Sequence, residues 1–108
     1  MGNFLNKNIY MTINIIIKKS SKPDKKYDAV IDDKKTISFG QSGASDYTQH
    51  KNDDRKKLYE NRHKKNENWS DPYTAGFYAK NILWNKKTIT ESIRDTNNKF
   101  KNINIKIK

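Results

Sequence analysis

A chain of 108 residues with 32% apolar and 32% charged side chains can build one small domain but no deep enclosed active site. It has no cysteine, which excludes a disulfide framework and thiolate metal sites, and its longest apolar-rich run is far too short to span a bilayer. A net charge of +11 and a pI near 9.8 point instead to a polyanionic partner or an anionic surface.

That charge is uneven. Residues 1–50 hold eight bases and five acids, whereas residues 51–108 hold fifteen bases and seven acids. Residues 1–8 (MGNFLNKN) read as a loose leader, and residues 9–108 as a single domain. The leader lacks the apolar core of a secretory signal. Gly2 is not followed by the Ser or Thr that myristoylation wants, because Asn6 stands there. The expectation is a protein that is neither secreted nor membrane-bound.

From Ile9 onward Ile9, Met11, Ile13, Ile15 and Ile17 alternate with Tyr10, Thr12, Asn14, Ile16 and Lys18, the period-two pattern of a half-buried strand. Lys18–Lys26 reads as a charged loop turning at Pro23–Asp24. Tyr27–Ile31 and Thr36–Phe39 alternate again, a hairpin with the four-residue connection Asp32–Lys35. Gly40–Ser45 (GQSGAS) reads as a flexible connector. A Gly-rich turn can cradle a phosphate, but this one lacks the Gly-Lys-Ser/Thr ending that such loops use.

The first helix is expected over Asp53–Lys65, capped by Asn52 or Asp53. Asp53 and Asp54 suit the positive end of its dipole, and Lys64 and Lys65 the negative end. Between Arg55 and Lys65 it has six bases and one acid, and its only apolar residues are Leu58 and Tyr59. Such a helix can bury a narrow stripe at best. A second helix should open with Asp71 as cap and Pro72 in its first turn, and run to about Trp84. Tyr73, Phe77, Tyr78, Ile82, Leu83 and Trp84 make it the most buried of the helices, and Gly76 would permit close packing against a neighbour. Thr88-Ile89-Thr90-Glu91 has the form of a capping box opening a third helix, with Ile89, Ile93 and Phe100 as its apolar stripe. Ile103–Lys108 alternates once more and should close on the N-terminal sheet. The expected fold is α+β, a small mostly antiparallel sheet in the order β-β-β-α-α-α-β with helices packed on one face.

On the first helix Arg55, Tyr59, Arg62 and Lys65 recur at a spacing of three to four residues, which aligns them along one face. His63 and Lys64 adjoin that face. Lys51, Lys56, Lys80, Lys86 and Lys87 would extend it if the helices pack side by side. Guanidinium groups bind phosphate oxygens in bidentate fashion, and Tyr59 and Trp69 could stack on unpaired bases or pack into the core. The expected activity is non-enzymatic binding of nucleic acid, with no cofactor and no metal. A different class of partner would be an acidic protein meeting the same basic face. A third reading is a metal-dependent nuclease using Asp46, His50 and His63, with Asp53 and Asp54 close by. Against it, Asp53 and Asp54 suit a helix start, and the two histidines suit packing. No GxSxG context surrounds Ser42, Ser45 or Ser92, so nucleophilic catalysis has no support.

The chain also resembles an uncharacterised family of small basic proteins encoded by giant DNA viruses of the mimivirus type. The resemblance rests on KYDAVIDDKKTISFG (Lys26–Gly40), SDYTQHK (Ser45–Lys51), RKKLYENRHKKNENW (Arg55–Trp69), DPYTAGFYAKNILWNK (Asp71–Lys86) and TITESIRD (Thr88–Asp95). It covers about Lys22–Phe100 and brings no catalytic assignment. It implies a viral origin, consistent with heavy use of Lys, Asn and Ile, whose codons are A/T-rich. It also implies a location in the virion or the host cytoplasm, within a viral factory, and makes the acidic alternative a virion or host protein.

Overall fold

Isoleucine at every second position makes the centre of the sheet. The computed structural model describes residues 12–108, so the leader and Ile9, Tyr10 and Met11 of the expected first strand lie outside the described residues. β1 runs Ile13–Lys19, with Ile15 and Ile17 fully buried and Asn14 and Lys18 exposed on the opposite side. β2 (Lys25–Ile31) pairs antiparallel with β1, and β3 (Lys35–Gln41) antiparallel with β2. β4 (Ile103–Ile107) returns parallel to β1, with Ile13 opposite Ile103 and Ile17 opposite Ile107. The sheet order is β3-β2-β1-β4. The architecture is the α+β one expected, a mostly antiparallel sheet with helices packed against it.

Pairing lengthens the hairpin beyond its apolar residues. Lys25 pairs with Gln41 and Tyr27 with Phe39, so Lys25, Lys26, Gly40 and Gln41 are strand rather than loop. At the other end Ile31 pairs with Lys35, leaving a connection of Asp32, Asp33 and Lys34. Asp32 and Asp33 take positive φ (49° and 57°), which aspartate tolerates better than most residues. The Asp32 carboxylate accepts from the Asn14 N–H, tying the turn to β1.

The helices differ from expectation in number and bounds. A short α1 (Tyr47–His50) precedes the basic helix, and its signal was present in the sequence. Asp46 and Gln49 form a reciprocal capping box, the Asp46 carboxylate accepting from Thr48 N–H and Gln49 Oε1 accepting from Asp46 N–H. The basic helix α2 (Asp53–His63) is capped by Asn52, which accepts from Arg55 N–H, and ends before Lys64. α3 begins only at Ala75, because Asp71 accepts from Tyr73 N–H in a local turn and Thr74 is the cap. After Tyr78 it widens into a π turn over Ala79–Leu83. The Asn81 amide donates to Phe77 O, the carbonyl its own backbone N–H would take in an α-helix. The Trp84 N–H accordingly reaches back to Ala79 O, five residues away.

α4 (Ile89–Lys99) is capped by Thr88, and its buried Ser92 and Thr96 let it lie close to the π turn, Thr96 donating to Asn81 O. The core between sheet and helices is built from Ile15, Ile17, Phe39, Phe77, Tyr78 and Leu83 with their neighbours. Asn97 finishes β4: its amide donates to Ile105 O, and its oxygen accepts from Ile105 N–H. A side chain thus occupies the place of a further strand on that edge.

Candidate nucleic-acid interface

α2 is anchored by one aromatic stack. Tyr59 is its only buried residue, and its ring lies between Trp84 (4.4 Å, 5° between planes) and His63 (4.2 Å, 24°). The sequence offered Tyr59 as a platform for bases or as core; the structure makes it core, and burial pushes its hydroxyl pKa up. Trp69 is likewise engaged. Its Nε1 donates to Glu67 Oε1, and the Lys80 ammonium sits over its ring.

The expected basic face divides. On one flank Lys56 donates to Asn85 O at 2.7 Å and lies 5.0 Å over the Tyr47 ring. Glu60, on the same flank, pairs with Lys80 at 3.2 Å. Burial holds the Lys80 pKa below its ordinary value in spite of that partner. Lys56 and Lys80 therefore already have partners within the fold. Lys86 and Lys87 are exposed, but they border a depression with Tyr47, Lys56, Asn85 and Glu91 that shares no residue with the arginine cleft. Lys51 closes α1 with φ 57° and donates to Thr48 O. Lys64 caps α2 and Lys65 follows it, both exposed outside the cleft.

On the other flank Arg55 and Arg62, with His63 beside them, line a cleft of about 410 Å³. Its remaining walls come from Lys25, Lys26 and Gly40 of the β2–β3 hairpin, from Asp46 and Glu67, and from Leu83 and Trp84. Gly40 has φ +79°, and a Cβ there would lie 2.8 Å from Leu83 Cδ1 and 3.1 Å from Lys26 Cβ. Only glycine fits that position. A second cleft of about 390 Å³ adjoins the first and shares Lys25, Lys26 and Asp46 with it; Lys19, Tyr27 and Ser42 are among its other walls.

The carboxylates at these clefts already have partners. Asp46 is buried, ion-paired to Lys26 and hydrogen-bonded by Thr48. Glu67 accepts from Trp69 Nε1 at 2.9 Å and lies 2.7 Å from His63 Nδ1. Its side chain also rests on Gly76, where a Cβ would come within 3.0 Å of Oε1. Gly76 thus permits the close packing expected of it. Among the described residues, Lys19, Lys25, Arg55 and Arg62 form no ion pair. Lys19 and Lys25 were missed in the sequence, where they sit in a charge run that reads as a solvated loop.

The candidate metal ligands diverge. Asp46 is bound to Lys26, Asp53 accepts from the Tyr47 hydroxyl, and His50 Nδ1 accepts from Asn52 N–H. Among the described residues no three His, Asp or Glu side chains gather around one metal-sized position. His50 packs against Trp84 (ring centroids 5.3 Å apart), and its Nε2 is shut from solvent with no hydrogen-bond partner among the described residues. Burial, reinforced by the nearby Arg55, holds its pKa below the ordinary 6.5.

No curated protein and no solved structure matches the chain. Residues 15–63 match a family of unknown function (DUF5754), a span that runs from within β1 to the end of α2 and includes all the bases lining the two clefts.

Proposed function

We propose that the protein is a small non-enzymatic nucleic-acid-binding protein that holds its partner chiefly by phosphate contacts along one flank of α2. The observation that carries the reading is the pairing pattern at the cleft. Arg55 and Arg62 line one concave surface without an ion-pair partner among the described residues, while the carboxylates beside them, Asp46 and Glu67, are held by other groups. A guanidinium presents a fixed fork of donors that matches two oxygens of a phosphodiester. The charge left unbalanced there also favours an anion from a distance. The viral origin implied by the resemblance would place this binding in a virion or a viral factory.

Fluorescence anisotropy with labelled DNA and RNA oligonucleotides, between about 50 and 300 mM salt, tests the proposal. Affinity should fall with a log–log slope of roughly −0.7 to −0.9 per phosphate neutralised. Exchanging both arginines (R55E with R62E) should weaken binding by about 100-fold at low salt, since two attractions become repulsions. The helical circular-dichroism signal should stay unchanged. Absence of retention of either nucleic acid at about 50 mM salt would remove the proposal.

A further inference from the structure

We infer that the two adjoining clefts form one track for a single strand of nucleic acid, with Lys19 and Lys25 gripping its phosphates beyond the arginines. This rests on the nucleic-acid reading above and adds to it the form of the partner and the course it takes.

Continuity comes from the shared wall. Lys25, Lys26 and Asp46 border both clefts, a rib with Arg55 and Arg62 in the cleft on one side and Lys19 in the cleft on the other. Within the rib Lys26 is neutralised by Asp46. Lys25, which has no ion pair among the described residues, is therefore the base positioned to hold a chain crossing from one cleft to the next. At about 410 and 390 Å³, each cleft has the size that takes one small ligand.

The second cleft also offers an aromatic surface. Tyr27 is half-buried, one side of its ring lies near Phe39 with centroids 5.9 Å apart, and it lines the cleft next to Lys19. A basic groove with an aromatic wall is the arrangement by which proteins hold unpaired strands, phosphates along the bases and a nucleobase against the ring. A duplex asks for the opposite shape, a convex element entering a major groove about 12 Å wide. The outer side of α2 is a basic surface outside both clefts, where Lys57, Asn61 and Lys64 are exposed beside Asp54 and an exposed Leu58. The two surfaces do not overlap, so each can be altered alone.

The test compares a single-stranded oligonucleotide of about 12 residues, as DNA and as RNA, with a duplex of the same length. Two variants carry equal changes in net charge: K19E with K25E at the track, and K57E with K64E on the outer side of α2. The single strand should bind at least ~10-fold tighter than the duplex, and the track variant should lose at least ~10-fold in single-strand affinity. The outer variant should change it less than ~3-fold. Should K19E with K25E perturb folding, K19Q with K25Q keeps much of each side-chain stem and should still lower affinity, by about threefold or more. Equal or tighter duplex binding, or loss through the outer pair alone, overturns the track and leaves nucleic-acid binding standing. Retention of neither form removes both.

Discussion

On one flank of α2 Lys56 reaches the Asn85 carbonyl and Glu60 binds Lys80; on the other, Arg55 and Arg62 line a cleft and form no ion pair among the described residues. The two flanks belong to the same helix, and each carries bases. The difference teaches that a count of bases does not make a binding surface. What matters is whether each cation finds an acceptor inside the fold. An ammonium on a flexible stem settles on one carbonyl and one ring face, as Lys56 does. A guanidinium keeps a planar fork of donors that one carbonyl cannot satisfy.

The aromatic stack under α2 holds both flanks, so its removal gives the largest effect. Trp84→Ala takes away the ring on which Tyr59 stacks and against which His50 packs, and should destabilise the protein by about 3 kcal/mol in urea unfolding. Nucleic-acid affinity should fall with it, because the arginines lose their frame. A loss below about 1 kcal/mol would mean that α2 is held by something else.

A smaller effect distinguishes the flanks by pH. His50 is neutral in the fold more readily than in the unfolded chain, where its pKa is near the ordinary 6.5. The unfolded state therefore binds more protons as pH falls through that value. The stability attached to neutral His50 is complete above pH 6.5 and is lost on acidification toward its lower folded pKa. The melting temperature should decline from pH 7 toward 5, and His50→Gln should flatten that part of the profile. Asp28 and Asp95 act in a separate window below their ordinary 3.8. Burial alone would raise Asp28, but hydrogen bonds from Ser38 and Ser20 outweigh it, whereas the Asn85 amide is the main cause for Asp95. Their stabilisation is present above 3.8 and lost as pH drops through their folded values. An unchanged melting temperature between pH 7 and 5 would show that His50 is hydrated after all.

The smallest effect sets one cation against another. Lys80→Met breaks the pair with Glu60 and should cost up to about 1 kcal/mol of stability, while shifting nucleic-acid affinity less than twofold. Arg62→Met should do the reverse, leaving stability within about 0.5 kcal/mol and weakening binding severalfold. If Lys80→Met weakens binding as much as Arg62→Met, the two flanks are one surface.

Local patterning determined much of this protein. Period-two isoleucine made β1 and β4 legible, Asn52 and Thr88 marked the starts of α2 and α4, and the scarcity of apolar residues on α2 announced a weakly buried helix. The alignment of Arg55 with Arg62 could also be read from spacing, because residues seven apart return to one side of a helix. Tertiary structure decided the rest. Whether Tyr59 faced bases or core depended on Trp84, twenty-five residues away, which follows directly on the π turn. Lys56 and Lys80 looked the same as any exposed lysine until Asn85 and Glu60 arrived beside them. Lys19 and Lys25 joined the arginines through strand pairing and the contacts of Lys26 with Asp46 and Gln49 that tie the hairpin end to α1. The reason is range: periodicity and caps act over one or two turns of chain, whereas a charge is free or satisfied according to what the whole fold sets next to it.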